Sequence, residues 1–524
     1  MYQNIYYDRK LNTMHVWDDK FGHQTFRYKK YAYVKNKSGT SVSLYGDKLK
    51  RVTDWDPEQP ELFESDVNPE IRVLVDNYTD SDDVSEGHRV MIFDIEVEVT
   101  NGFPDVNKAE NKITAIGFND CLLDKYYCYV LDEDGKLNDD FDDDVIVESF
   151  TSEYDLLHQF FIKYKEIQPT ILTGWNVEFF DITYLKKFVE YNIQDVRLIK
   201  KLDDKLDFIG IARGLAHLGH VPYENVFMSS RYLEGAILVY LKKNNIVAPN
   251  KPRKFDRSKL EKFVGAYVQE PQRGKHDWVY DLDITSMYPS CIMSLNISPE
   301  TKLGKIEGWN PEEFLSKSNK KTYSITHNSK VLGKYTETEL KKMLDNEEVG
   351  VATNGVMYRS DKDGLLPALL RKWFDERVEY RKLSKKFHED GDTVKSEYFD
   401  RRQYLQKVLL NSLYGVLGLP VFRFYDLDNA EAVTYTGQSL IKFTKKIANS
   451  FYNKELEDTK DHCIYIDTDS VFYSATPLVK KRFPELDIKN VDKMSKAILK
   501  VADEVQSYLN TSYDYFAKKF CNLD

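Results

Sequence analysis

The sequence predicts a multi-domain α/β protein, and three observations predict it. With 524 residues, 42% of them hydrophobic, the chain exceeds what one core usually serves and can fill several. Apolar strand-like runs alternate with helical stretches between 89 and 200, the pattern of a sheet with helices on its faces. Two long charged helical patterns then stand back to back at 363–416, joined by HEDGDT and flanked by strand-like runs, so a helical hairpin is set into a second sheet.

Taken in order, residues 1–88 alternate short Tyr- and Val-rich runs (IYY, FRYKKYAYV, IRVLV) with polar turns and predict a small β-rich module. In 89–200, RVMIFDIEVEV reads as a buried strand, KITAIGF and YYCYVL as further strands, 154–166 as a helix and TILTGWN as the closing strand. Residues 201–260 predict a helical connector. WVYDLDI at 278–284 opens the second sheet within 261–362, and the hairpin of 363–416 follows. Residues 417–524 return to the sheet through HCIYIDTDSVFYSA and finish in a helical pattern over 491–520. There is no internal repeat or low-complexity tract.

Charge and hydropathy narrow the function. With 74 basic and 85 acidic residues the formal charge is −11, which argues against a binder that attracts nucleic acid over its whole surface. Charge is segregated instead: acid in 81–86 and 139–145, base in 242–254 and 371–407. A protein that holds DNA in a lined channel has this distribution, and so do ordinary solvated faces. No run approaches the ~18 apolar residues of a membrane span, and MYQNIYYDRKLN has no basic-then-apolar signal, so a cytoplasmic protein is expected. The five cysteines are odd in number and form no CxxC, which predicts reduced, structural thiols.

Two places carry carboxylates in a pattern suited to metal chemistry. Asp283 and Asp469 both stand at strand ends, where a side chain is held firmly yet faces a cleft; two such groups on neighbouring strands can hold two divalent ions. Asp94 and Glu96 stand two apart, on one face of a strand. Taken singly each pattern is weak, because Asp is common in turns and D-x-E arises by chance. On the helical hairpin, Lys407 and Asn411 are four apart and share a helix face, as do Arg377 and Arg381.

DLDITSMYPS, KVLLNSLYG and YIDTDS resemble motifs A, B and C of the family B DNA polymerases, in order and with the helical hairpin between the outer two. NISPET and DNAEAVTYTGQ add similarity to the T-even bacteriophage branch. The resemblance covers roughly 90 to 475 and implies a ribonuclease-H-like exonuclease domain (89–200), a palm (261–362 and 417–524) and helical fingers (363–416). It implies two Mg²⁺ held by Asp283, Asp469 and the carbonyl of Ile284, with Asp467 in support. Tyr288 would lie under the sugar of the incoming dNTP and exclude a 2′-hydroxyl. Lys407, Arg377, Arg381 and Asn411 would neutralise its phosphates, with Tyr414 and Gly415 continuing toward the nascent base pair. EKFVGAYVQEP resembles the template-contacting segment, with Gly265 and Ala266 allowing close backbone approach to DNA. One departure is Ile466, where the family usually has Gly.

FDIE, GWNVEFFDITYL and YNIQD resemble the three exonuclease motifs, which implies Asp94, Glu96, Asp181 and Asp195 around two further Mg²⁺ and Tyr191 orienting water. Asp181 and Asp195 are only 14 residues apart, far closer than the family shows. Were the intervening chain one helix, they would stand about 21 Å apart, so an impaired exonuclease is one expectation. Another is that the chain is the N-terminal part of a split polymerase. In the family a Lys-x-Tyr palm strand and a thumb follow motif C, and a separate chain is expected to supply them. Primer-template DNA, dNTPs and a sliding clamp are the other expected partners, in the host cytoplasm if the protein is viral. The alternatives are a nuclease with an inert palm and a non-catalytic primer-template binding subunit.

Overall fold

The computed structural model describes residues 1–56, 61–98, 111–132, 144–175, 189–252, 264–316, 321–487 and 489–523, with 189–195 as backbone alone. It divides into two compact units, Met1–Lys29 with Asn68–Val226, and Lys30–Val67 with Phe227–Asp524.

Strands β1 (Tyr2–Asp8), β2 (Thr13–Asp18) and β3 (Gly22–Arg27) form an antiparallel meander in the first unit. The next four strands, β4 (Ala32–Lys35), β5 (Ser41–Ser43), β6 (Lys48–Val52) and β7 (Leu62–Phe63), belong to a sheet of the second unit. The first 88 residues therefore serve two sheets, where the sequence suggested one module.

IRVLV, expected as a strand, lies instead in helix α1 (Pro69–Asn77). The start signals override the β-branched composition: the Asn68 side chain accepts from the Ile71 amide at 3.0 Å, Pro69 occupies the first turn and Glu70 adds an acid there. Its Val73 and Leu74 pack with Met14 and Val16 of β2.

The rest of the first unit is built on β8 (Val90–Val97), β9 (Ile113–Asp120), β10 (Lys125–Leu131), β11 (Val145–Phe150) and β12 (Ile171–Thr173), in the order β11-β10-β9-β8-β12. The β8, β9 and β10 neighbours are antiparallel, while β12 runs parallel to β8 and β11 parallel to β10. Both faces are covered, which explains the near-continuous apolar run of β8. Met91, Phe93 and Ile95 pack with Leu156, Phe160 and Ile167 of α2 (Glu153–Ile167). Ile92 packs on the opposite face with Val196 of α3 (Val189–Leu206). Helix α4 (Phe208–Gly219) follows.

The second unit continues with α5 (Ser229–Lys243), β13 (Ile246–Val247) beside β5, β14 (Val268–Gln269), β15 (Val279–Asp283) and α6 (Met287–Ser294). An antiparallel sheet then forms from β16 (Lys302–Ile306), β17 (Thr322–His327), β18 (Lys330–Thr336), β19 (Val349–Val351) and β20 (Val356–Arg359), with α7 (Pro311–Ser316) and α8 (Glu337–Asn346). The hairpin is α9 (Leu365–Glu389) and α10 (Thr393–Leu417). α11 (Leu427–Leu456), β21 (Cys463–Asp467), β22 (Ser470–Ser474), α12 (Thr476–Arg482), α13 (Val491–Asn510) and α14 (Tyr513–Phe520) complete the chain.

The sheet that matters for chemistry has the order β14-β21-β22-β15. One face is buried under α11, α12 and α13 through Ile441, Tyr452, Leu478, Met494 and Val505. The hairpin's apolar residues cluster at its root: Leu365, Leu366, Leu369, Leu370 and Trp373 on α9, and Leu409, Leu410, Leu413 and Val416 on α10 are all buried. Beyond them the two helices carry charge, so the arm projects. Gly391 turns it at φ 78°, and Phe387 stacks on Phe399 near the tip at 5.5 Å. Behind α10, the buried Arg423 bridges Glu234 and Asp66 at 2.7 Å each.

Candidate active site

β15 ends at Asp283, which faces Ser470 across the antiparallel ladder. β21 ends at Asp467, and Thr468 turns the chain in the left-handed region, φ 57°, so that Asp469 heads back beside β15. The turn is pinned from both sides: Thr468 donates its amide to the Tyr267 carbonyl at 3.1 Å, and Ile284 donates its amide to the Asp469 carbonyl at 2.9 Å. The Ser470 hydroxyl donates to Asp283 Oδ2 at 3.2 Å, and Thr468 Oγ1 to Asp467 Oδ1 at 3.1 Å.

Burial, the charge of Asp283 and then that of Asp467 raise the Asp469 carboxyl above the ordinary range. Among the described residues no basic side chain forms an ion pair with any of the three. Asp283, Asp469 and the adjacent backbone of Ile284 are thus a set of hard oxygen donors whose mutual repulsion a divalent cation would relieve. Among the described residues no group of three or more His, Cys, Asp or Glu side chains is placed to hold a metal ion.

From α6 the Tyr288 ring reaches Tyr414 of α10, with centroids 4.3 Å apart and planes at 36°. Burial raises both hydroxyls, that of Tyr414 to about 12. Lys407, Asn411 and Gly415 lie exposed in line along α10. The helices are in register here, with Gln406 donating to Glu376 at 2.8 Å and Arg402 to Tyr380 at 3.2 Å. Three lysines of the arm have acidic neighbours, Lys372 with Glu376 at 3.1 Å, Lys385 with Glu389 at 3.8 Å and Lys395 with Asp392 at 2.7 Å. Arg377, Arg381 and Lys407 have no carboxylate in ion-pair range among the described residues, and burial together with Arg381 lowers the Arg377 guanidinium.

Sequence reasoning treated DNAEAVTYTGQ as similarity alone and missed what α11 does. Gln438, Lys442 and Lys445, at i, i+4 and i+7, meet alternate residues of an extended segment: Gln438 Nε2 donates to the Gly265 carbonyl at 2.7 Å, Lys442 lies 4.5 Å over the Tyr267 ring, and Lys445 donates to Gln269 at 2.8 Å. The match of a helical stripe to a strand period was the available signal. It fixes the segment whose Val268 pairs with Asp467. Ala266 is exposed, and a Cβ on Gly265 would meet nothing within 4 Å. Ile466 is fully buried in the core beneath the sheet.

In the first unit, Asp94 and Glu96 alternate with Phe93 and Ile95, so they share the face of Ile92, against which α3 packs. The α3 backbone carries Tyr191 and Asp195 across β8, β9 and β10 on that face. Asp181 lies outside the described residues.

The second unit thus joins an antiparallel sheet bearing facing carboxylates at its turn to a helical hairpin whose outer half carries charge. The family model for DNA polymerase family B matches residues 224–508, and that for the DNA polymerase family B exonuclease domain matches 51–214. The chain belongs to DNA polymerase family B. It is 23% identical to the DNA-directed DNA polymerase of Escherichia phage RB69 over 75% of this chain and 58% of the relative, and 23% identical to that of Enterobacteria phage T4 over 75% and 59%. DNA polymerase 1 of Pyrococcus abyssi is 26% identical over 65% of this chain and 38% of its own length. The chain thus spans less than two thirds of these relatives. No helix among the described residues is long and apolar enough to cross a membrane.

Proposed function

We propose that this chain carries out template-directed DNA synthesis, transferring a nucleotidyl group from a dNTP to a primer 3′-hydroxyl. The observation that carries the reading is the meeting of Asp283 and Asp469, neither paired to a base, in a unit that also presents cations without carboxylate partners. Two Mg²⁺ on Asp283, Asp469 and the Ile284 carbonyl, supported by Asp467, would activate the primer hydroxyl and stabilise the leaving pyrophosphate. Lys407, Arg377 and Arg381 receive the β- and γ-phosphates with Asn411, as cationic clamps do in phosphoryl transfer. Tyr288 lies beneath the sugar, Tyr414 and Gly415 face the nascent base pair, and Gly265 and Ala266 face the template strand.

Single-nucleotide incorporation on a primer-template with Mg²⁺ tests the reading, and Asp469→Ala should abolish it. An unchanged rate in that variant would remove Asp469 from the reaction, and no incorporation by the unaltered chain would leave a nuclease or a non-catalytic primer-template binding subunit.

The first unit, in this proposal, is a ribonuclease-H-like 3′–5′ exonuclease using Asp94, Glu96 and Asp195 with two Mg²⁺, completed by Asp181 and with Tyr191 orienting water. The antiparallel β8-β9-β10 set with β12 parallel to β8 supports that fold, and the position of α3 on the face of Asp94 and Glu96 supports the site. Digestion of a single-stranded primer with Mg²⁺ and no nucleotides, lost in Asp94→Ala, is the expected result. Absent digestion by the unaltered chain would favour the impaired site suggested by the short Asp181–Asp195 spacing.

A further inference from the structure

α11 packs against α6, and the approach is tight at Gly437. A Cβ built there would stand 2.9 Å from Cε1 and 3.4 Å from Cδ1 of Tyr288, and 3.0 Å from Cε of Met287. Gly437 is buried within the helix and is not among the glycines with positive φ, so its backbone asks for nothing special. Alanine is the better residue in a helix interior, so what glycine supplies here is space. The Met287 methyl ends a flexible chain and can yield. The Tyr288 ring is less free, because Tyr414 already lies against it and its hydroxyl is within electrostatic range of Asp469.

We propose that Gly437 is a specificity-determining position: its missing Cβ sets how deep the Tyr288 ring sits, and so how much room remains for the sugar of the incoming nucleotide. This rests on the placing of Tyr288 beneath that sugar. Gly437→Ala drives the ring away from α11, into the space bounded by Tyr414 and Asp469. The sugar site narrows, and a ribose, with its extra hydroxyl, is affected more than a deoxyribose.

The test is single-nucleotide incorporation by the full chain on a primer-template, with matched dNTP and rNTP, for Gly437→Ala, Tyr288→Ala and the double variant. In Gly437→Ala, kcat/KM for the dNTP should fall about ten- to a hundredfold, the scale of a sub-ångström to ångström misplacement, chiefly through KM. The rNTP should fall further, so discrimination rises. In the Tyr288→Ala background the same substitution should cost less than about twofold, since the ring it displaces is gone. Equal losses in both backgrounds, or unchanged discrimination, would overturn the proposal. So would a parallel loss of every activity, primer digestion included, because displacement of one ring should act on the nucleotide site alone. Equilibrium binding of the two nucleotides with Ca²⁺ replacing Mg²⁺ reads the same cycle without turnover. If Tyr288→Ala alone leaves ribonucleotide discrimination intact, the placing of Tyr288 fails, a result separate from any failure of the coupling.

Discussion

Asp94 and Glu96 stand two residues apart on one strand, whereas Asp283 ends one strand and Asp469 lies in a turn 469 − 283 = 186 positions further along the chain. The first pair needs only the alternation of β8 to share a face. The second exists only when β15 pairs with β22, the Thr468 turn adopts φ 57° and Ile284 binds the Asp469 carbonyl. One pair is written locally, the other assembled by the fold.

The largest expected effects separate the two sites outright. Asp469→Ala should reduce nucleotide incorporation by roughly 10³-fold or more, on the scale of losing a preorganised electrostatic group, while primer digestion in Mg²⁺ stays intact. Asp94→Ala with Glu96→Ala should do the reverse. Loss of both activities in either variant would show that the sites are not independent and break the comparison.

The cations of the arm give a smaller, graded effect. Lys407→Ala should raise KM for dNTP about ten- to a hundredfold, because it removes a cation that has no carboxylate partner. Lys372→Ala removes one held by Glu376 at 3.1 Å on the surface of the same arm and should change incorporation less than about twofold. Steady-state kinetics of the two variants side by side check this; equal penalties would mean general charge, not placement, draws the nucleotide.

The two units should also differ in their response to acid. In the first unit burial lowers His217 to about 3, helped by Arg213, His220 and His88, and burial then Arg213 lower His88 to about 4. His217 is fully buried, with Tyr223 and Ser85 on its Nε2. Both imidazoles are held neutral, so unfolding exposes groups that take up protons below their ordinary value near 6.5. Stability is therefore complete above pH 6.5 and declines as pH falls toward 4, by about 1.4 kcal/mol per pH unit for His217. Hydrogen exchange at pH 7 and pH 5 should show protection falling in β1, β2 and α4. Replacing His217 with Gln should flatten that dependence.

What the sequence disclosed follows the same division. FDIE, the alternating strands of 89–131 and the two helices of the arm were legible because each signal lies within one element. IRVLV misled because composition spoke for a strand while three start signals lay just before it. The stripe of Gln438, Lys442 and Lys445 shows in the sequence only as a helical period, and its meaning depends on Gly265, Tyr267 and Gln269 lying alongside. The facing of Asp283 and Asp469 was legible only through resemblance, since strand pairing at that distance leaves no periodic trace.

The smallest effect concerns the helix that composition concealed. Asn68 satisfies the Ile71 amide, one of the donors a helix start leaves open, at 3.0 Å. Asn68→Ala removes that acceptor and should cost about 1 kcal/mol, seen as a shift in the urea midpoint of the first unit. Asn68→Asp keeps the acceptor and adds charge favourable to the helix dipole, so it should hold or slightly raise stability. If both variants destabilise equally, the cap is not what holds IRVLV helical. The packing of Val73 and Leu74 on Met14 and Val16 would then be the stronger cause, and the local signals would count for less even in the unit where they are clearest.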